Sequence, residues 1–274
     1  DTGSVVGMTN KVSNAGVVAT DVSAVATARY GPAATEYGGD KGIIAYGYTS
    51  SSVSISNLIS NSGVMGSDVT GVGTARRYLA ACRYGTNTAL FAYGNAGSLT
   101  AVSNLVTNVG VVGTDVTGVG TARGYIIGTE YGNDKGIIGF GESGAGNTSL
   151  TNLVSNVGVI ATDTTGVGTA RVSCGACGYG YDKGIFGYGN TGSVSSLTNL
   201  VSNVGVVASD TSGVGTARRN PAACEYGADK GIFAYGTTGS LTAVSNLVSN
   251  SGVVASDVSG VGTARDRLGG CSFN

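Results

Sequence analysis

One string, ending in T-A-R, recurs six times along the chain, and this repetition limits the possible folds more than any other feature. The copies occupy residues 16–29, 63–76, 110–123, 158–171, 205–218 and 252–265, at spacings of 47, 47, 48, 47 and 47 residues. A second element, D-K-G-I-I-A-Y-G at 40–47, has further copies at 87–94, 134–141, 182–189 and 229–236. A third, S-N-L-V-S-N, precedes each T-A-R string in related forms. The whole chain is therefore an array of similar units, as in solenoids and propellers.

The segments within one unit are typical of short β-strands. A-A-C-E-Y-G, K-G-I-F-A-Y-G, V-S-N-L-V-S-N and G-V-V-A-S-D are rich in β-branched, alanine and aromatic residues, and Gly, Asn, Asp or Ser bound them. The 49 glycines are too frequent for stable helices, and no apolar helical period persists. Four short strands in about 47 residues match one propeller blade. We predict an all-β chain that forms a β-propeller of about six four-stranded blades.

The predicted organisation is a single repeat domain over residues 1–274, with units ending near 29, 76, 123, 171, 218 and 265. The N-terminal residues correspond to the latter half of a unit and R-L-G-G-C-S-F corresponds to a first strand, so the two ends would form one split blade. Its second strand has no counterpart, since K-G-I-F-A-Y-G occurs only five times. That blade is incomplete, the chain is truncated, or a neighbouring molecule donates the strand. An open solenoid or fibre is the structural alternative.

The order R-x-x-A-A-C, K-G-I-F-A-Y-G, S-N-L-V-S-N, G-V-V-A-S-D and G-T-A-R resembles a kelch repeat, and the resemblance covers every unit. Two features depart from the kelch pattern: A-Y-G or G-F-G replaces the double glycine, and the late tryptophan is absent because the chain has no Trp. The near-identical copies also resemble kelch-like repeat proteins of environmental bacteriophages. That resemblance implies a tail-fibre or virion-surface role and an extracellular or virion-surface location.

Composition argues against several classes of function. The net charge is −1 without a basic block, which disfavours nucleic-acid binding. No run of 18 apolar residues exists that would span a membrane. The chain contains no histidine, the commonest general base and metal ligand. We therefore expect no catalytic residues, no metal and no cofactor.

An aspartate stands eight residues before each T-A-R arginine. These could be ligand-binding residues in a channel, but their recurrence in all six units favours structural pairs that join one blade to the next. The pairs are Asp21 and Arg29, Asp68 and Arg76, Asp115 and Arg123, Asp163 and Arg171, Asp210 and Arg218, and Asp257 and Arg265.

Other polar positions also recur at fixed places. Four of the five cysteines stand six residues after the arginine, where Thr35 and Thr129 replace them, so we expect free thiols at a small, semi-buried strand position. Glu36, Glu130 and Glu225 share one repeat position, which leaves a glycoside hydrolase as a third alternative.

The segment that follows each T-A-R string differs most between units. It carries the predicted ligand-binding residues Tyr30, Arg77, Tyr78, Tyr125, Arg219, Asn220 and Arg267. Variable loops on a uniform scaffold are typical of binding faces, although drift at exposed positions gives the same pattern. We expect a non-enzymatic recognition or adhesion protein that binds cell-surface glycans and is part of a phage tail fibre. The rival is a structural protomer of an extracellular fibre or virion decoration that assembles with itself.

Overall fold

The computed structural model describes residues 2–23 and 25–273 and confirms the all-β prediction. In this part of the chain there are strands, turns and loops but no helix, and hence none that could cross a membrane. Fifteen strands form five antiparallel three-stranded sheets, and β9 and β10 form a small hairpin in a loop of the third unit.

The strands follow the repeat closely. They are β1 (Ala33–Tyr37), β2 (Lys41–Ala45), β3 (Ser56–Ile59), β4 (Ala80–Tyr84), β5 (Thr88–Asn95), β6 (Leu99–Val106), β7 (Ile127–Tyr131), β8 (Lys135–Gly139), β9 (Glu142–Ser143), β10 (Gly146–Asn147), β11 (Thr151–Val154), β12 (Gly175–Tyr179), β13 (Lys183–Asn190), β14 (Val194–Val201), β15 (Ala222–Tyr226), β16 (Lys230–Ala234) and β17 (Ser245–Val248). In every sheet the K-G-I-F-A-Y-G strand lies in the middle, between the A-A-C-E-Y and S-N-L-V strands.

The predicted fourth strand is not a full strand. In the second unit the backbone pairing of this segment with β6 is limited to the isolated bridges Ser103–Val116 and Val106–Val112. Between these bridges the Asn104 side chain donates to the carbonyl oxygen of Gly113 and to the carboxylate of Asp115, both at 2.9 Å. An asparagine side chain thus supplies some of the hydrogen bonds that a backbone ladder would otherwise supply.

The hydrophobic core lies between neighbouring sheets. The first strands of successive sheets pack in the order β1, β4, β7, β12, β15. The residue at the fourth position of K-G-I-F-A-Y-G packs against the aromatic residue of the preceding unit, as in the edge-to-face pair of Phe91 and Tyr46 at 5.4 Å. Both rings are fully buried. A single sheet cannot bury these faces, so each unit depends on its neighbours.

The two ends of the chain lie next to each other. Thr263 donates its backbone NH at 2.8 Å and its hydroxyl at 2.6 Å to the carboxylate of Asp21. The Ser272 hydroxyl donates to the carbonyl oxygen of Glu225 at 2.8 Å, which places the C-terminal segment beside β15. Residues 268–273 and residues 9–22 stand where a sixth unit would have its first strand and its outer part, but form no sheet strand.

Candidate functional site

The T-A-R arginines are buried and hold each unit together. The guanidinium of Arg76 is fully buried and donates to the carbonyl oxygens of Tyr93 (2.8 Å) and Thr74 (3.0 Å). It also donates to Asn104 Oδ1 at 2.7 Å. On its other side it covers the ring of Tyr46, 4.2 Å from the ring centroid. Most of these contacts recur in the other units, and the ring contact recurs for four further arginines but not for Arg29.

The predicted aspartate–arginine pairs were wrong by one unit. Arg171 lies 3.6 Å from Asp210, not next to Asp163, and Arg29 lies 3.9 Å from Asp68 rather than next to Asp21. Thr169 reaches the same Asp210 carboxylate with its backbone NH and hydroxyl. The partner is the aspartate of the following T-A-R string, because the strands of a whole unit fold back between the two residues.

The aspartates are held in their charged form. Burial raises the pKa of Asp115, but hydrogen bonds from Thr74 and Asn104 and the charge of Arg76 outweigh it, so the pKa is lowered. For the half-buried Asp21, the Thr263 hydroxyl and Asn10 lower the pKa. The asparagine of S-N-L-V-S-N was missed as a network member, although its presence in every unit is a visible signal. The network is a clamp that uses most of its polar groups internally. Arg29 Nε, Arg218 Nε and Asn246 Oδ1 are buried without a hydrogen-bond partner.

The second residue after each T-A-R string contributes to a circle of residues, here called the crown. Its members are Gly31, Tyr78, Tyr125, Ser173, Asn220 and Arg267. Backbone hydrogen bonds run from Gly31 to Arg267 (3.0 Å), Tyr78 to Gly31 (2.9 Å), Ser173 to Tyr125 (3.1 Å), Asn220 to Ser173 (2.8 Å) and Arg267 to Asn220 (3.4 Å). The crown therefore joins the first unit to the C-terminal segment.

All six crown residues have a positive φ, between 51° and 63°. Gly31 adopts this region without steric strain, whereas an L-residue there costs about 1 kcal/mol or more, and less at Asn220 because asparagine tolerates this region. The aromatic residues of A-Y-G also have positive φ, but there the repeated arginine contact and buried ring account for the residue type. At the crown only the backbone hydrogen bonds recur; no side-chain contact is repeated, and the side chains differ from unit to unit.

The crown tyrosines and adjacent arginines form one aromatic and cationic patch. Tyr78 and Tyr125 stack with ring centroids 4.0 Å apart, and Tyr30 packs on Tyr78 at 6.0 Å. The guanidinium of Arg77 lies 5.7 Å from the Tyr78 ring centroid, and that of Arg267 lies 5.5 Å from Tyr30. The tyrosine faces are thus partly covered by each other, so they form a shared platform rather than separate ones.

The two other predicted ligand-binding residues lie across the crown or next to it. Asn220 donates to Asp266 at 3.1 Å, and Arg267 lies 3.7 Å from the same carboxylate. Arg219 is half-buried, and its backbone bridges to Thr237. The structure therefore brings Tyr30, Tyr78 and Tyr125 together with the arginines, and it adds Tyr48, whose ring centroid lies 4.2 Å from the Arg77 guanidinium.

A second polar group lies where the first strands of the units converge. It comprises Glu36, Arg83, Glu130, Gly178, Glu225 and Ser272, all from one repeat position. Burial, and then the charge and hydrogen bond of Glu130, raise the pKa of Glu225 to about 10. Burial and Glu130 also raise the pKa of Glu36 to about 7, although Arg83 lies 3.6 Å away. Side chains from separate units thus meet because they share a position in the repeat.

The carboxylate cluster has little free space. The adjoining cavity measures about 40 Å³, which has room for a few water molecules but not for a sugar ring. The side chain of Glu225 occupies the space above Gly178, since a Cβ there would lie 1.6 Å from Glu225 Oε1. Among the described residues, no group of three or more Cys, Asp or Glu side chains is placed to hold a metal ion.

The five cysteines are thiols in this structure, and Cys82, Cys174 and Cys177 are buried. Burial raises the pKa of Cys174 to about 11 and raises that of Cys82 still further. Such thiols are poor nucleophiles, because the thiolate is the reactive form. Cys82 and Cys177 face glycines on the middle strand of the next sheet, which explains the requirement for a small residue.

Comparison of the sequence with protein families and with curated proteins finds no match. The resemblance to kelch repeats and to phage surface proteins therefore remains a prediction based on the repeat pattern.

Proposed function

We propose that the chain is a closed β-propeller of six kelch-like units, and that it acts as a non-enzymatic recognition module whose crown binds neutral glycans. Three contacts between the ends of the chain support closure: Thr263 with Asp21, Arg265 with Asn10, and Gly31 with Arg267. A closed circle of sheets leaves only short protected edges. Presentation on a virion surface or tail fibre is part of this proposal.

The conformation of the crown carries the functional part of the proposal. Five crown positions have side chains in a strained backbone conformation that glycine adopts at the sixth, Gly31. Strain of this kind clusters at functional sites, where the side chain has a role that offsets the cost. The crown side chains form no repeated structural contact, in contrast to the buried Tyr46 and its equivalents. We infer that they are present for a ligand.

Glycans suit the chemistry of this patch. Sugar rings place their CH faces on aromatic platforms, and their hydroxyls accept hydrogen bonds from guanidinium groups. Tyr78 and Tyr125 supply a platform, and Arg77 and Arg267 supply donors at its border. The net charge of −1 gives no general attraction for polyanions, which favours neutral glycans.

The test is a glycan array with two types of crown variant. Tyr78→Ala should lose binding, while Tyr181→Ala, which removes a tyrosine that is 66% exposed elsewhere, should retain it. Tyr78→Gly should lose binding with almost unchanged stability, since relief of strain offsets the loss of about 0.5–1.5 kcal/mol of ring stacking. A folded protein with no signal on a broad array would refute glycan recognition, and retention of binding by both Tyr78 variants would refute the site.

A structural protomer is the second candidate, and a set of exposed valines favours it. Val17, Val64, Val111, Val159, Val206 and Val253 occupy one repeat position and are 58–64% exposed. A regular series of exposed apolar side chains on the outer segments is suited to contact with further copies. Filaments that Val111→Thr and Val159→Thr abolish, together with an empty glycan array, would favour this candidate.

A further inference from the structure

A cavity of about 200 Å³ lies in the sixth unit, between residues 6–12 and residues 268–273. The fifth sheet lines one side through Ala234 and Tyr235, and the first sheet lines the other through Ile44 and Ile59. In each of the five sheets, the middle strand occupies the place between the equivalent first and third strands. The cavity is therefore located where a middle strand would lie.

Arg29, which borders the cavity, has neither of two contacts that the other five T-A-R arginines make. In five units the guanidinium lies over the aromatic ring of the middle strand of the preceding unit. The carbonyl oxygen of the same arginine accepts a hydrogen bond from the NH of the glycine that follows this aromatic residue. The ring pairs are Arg76 on Tyr46 (4.2 Å), Arg123 on Tyr93 (5.0 Å), Arg171 on Phe140 (4.3 Å), Arg218 on Tyr188 (4.1 Å) and Arg265 on Tyr235 (4.2 Å). The glycine donors are Gly47, Gly94, Gly141, Gly189 and Gly236. For Arg29, both partners would come from a middle strand in the cavity.

Apolar side chains beside the cavity are also less covered than their equivalents. Val106, Val154, Val201 and Val248 are 0–1% exposed. Val12, at the same repeat position, is half-buried. The four buried valines each pair with a small residue of a middle strand, such as Gly136 opposite Val154. Val12 lines the cavity instead.

The lining specifies the sequence of an occupant. At the second position of the middle strand in the fifth sheet, a Cβ on Gly231 would lie 2.5 Å from Cys177 Sγ. Cys224 is the equivalent thiol beside the cavity, so only glycine fits at the second position of an occupant. At the fourth position, Phe233 packs edge-to-face on Tyr188 at 5.1 Å, and Tyr235 offers the same surface to the cavity. At the sixth position, an aromatic ring would lie under Arg29.

We propose that this cleft binds an extended peptide strand of the pattern K-G-I-[I/F]-[A/G]-[Y/F]-G supplied by a partner protein and not by a second copy of this chain, whose five middle strands already lie inside its own sheets. The strand would pair antiparallel with both residues 268–273 and residues 9–12 and complete a sixth sheet. Strand addition of this kind derives affinity from backbone hydrogen bonds and specificity from alternate side-chain pockets. The proposal goes beyond glycan recognition and does not depend on it.

The direct test is fluorescence anisotropy with a labelled peptide of residues 228–238 and the full chain. Saturable one-to-one binding and a higher melting temperature are expected. A peptide with Tyr235→Ala should bind about tenfold more weakly, because the ring under Arg29 is lost. A peptide with Gly231→Val should not bind detectably, and a scrambled peptide should not bind either.

Two further measurements locate the peptide. Val12→Phe should fill the cleft and abolish binding, whereas Val17→Phe, at an exposed site, should leave it unchanged. Maleimide should label Cys224 and Cys271, which line the cleft, faster than the buried Cys177, and the peptide should slow the reactions of Cys224 and Cys271 but not that of Cys177. The proposal would be overturned if the scrambled peptide bound as tightly as the original peptide. It would also be overturned if the labelled peptide did not bind to the folded chain at a 100-fold excess of chain over peptide. A dimer in which Cys224 is already protected would overturn it in favour of a second copy as the occupant.

Discussion

Replacement of Arg76 by alanine tests the clamp most severely, because this side chain is fully buried and bonded on all sides. The variant leaves the carbonyl oxygens of Tyr93 and Thr74 and the Asn104 amide oxygen without their donor. It also leaves a cavity next to Tyr46. Each buried acceptor without a partner costs about 1–3 kcal/mol, and water that enters the cavity recovers part of this. We expect a total loss of about 4 kcal/mol, within the range for broken buried charge networks.

The matched control is Arg265→Ala. Arg265 donates to Thr263 and Asp21, but it borders the open cleft, where water can replace it. Its loss should cost about 2 kcal/mol, since the acceptors stay solvated. Urea denaturation followed by circular dichroism measures the free energy of unfolding of both variants. In thermal scans the melting temperature of the Arg76 variant should be roughly 8–16 °C lower than that of the unmodified chain. The clamp would be refuted if the free energy of unfolding of Arg76→Ala lay within about 0.5 kcal/mol of that of the unmodified chain, or if both variants lost equal amounts.

Three further predictions concern protonation and the cysteines. Glu225→Gln should increasingly stabilise the protein as pH rises from about 4.5 towards 10, because the raised pKa of Glu225 makes its ionisation in the folded state unfavourable there. Melting curves of the variant and the unmodified chain across this range measure the gain, and equal melting temperatures at every pH would contradict it. Stability should fall as pH drops below about 4, because Asp115 and its equivalents have lowered pKa values and lose their stabilising contribution on protonation. An acid titration followed by circular dichroism measures this loss, and no change between pH 4 and 2 would contradict it. Thiol titration should find five groups in denaturant without reductant, and in the native protein Cys82 and Cys177 should react slowly; a count of three or one would show a disulfide.

The strands could be predicted from the sequence because their signals are local. The K-G-I-F-A-Y-G segments are rich in β-branched and aromatic residues and end at a glycine, and the structure makes each of them the middle strand of a sheet. The fourth segment was predicted as a strand and is held by two bridges, because the side chain of Asn104 takes over hydrogen bonds that a ladder would supply. The pattern of hydrophobic residues does not reveal where a side chain replaces backbone hydrogen bonds in this way.

Partners between units were harder to predict. A repeat shows which residues recur, but not which copy supplies the partner, so Arg171 was paired with Asp163 rather than with Asp210. The convergence of Glu36, Glu130 and Glu225 follows once the first strands are placed next to each other, since equal positions then meet. The positive φ of Tyr78 and Tyr125 could not be predicted, because tyrosine gives no sequence signal for that conformation.

The central claim is that six units close into a ring, and the distance between the two ends of the chain tests it most directly. Spin labels attached through unnatural amino acids at the exposed positions Thr20 and Ser259 leave the native cysteines unchanged. These positions flank the contact of Asp21 with Thr263, so a closed ring predicts a separation below about 25 Å in double electron–electron resonance. An open stack of six sheets, each about 10 Å from the next, would separate them by about 50 Å and contradict the account.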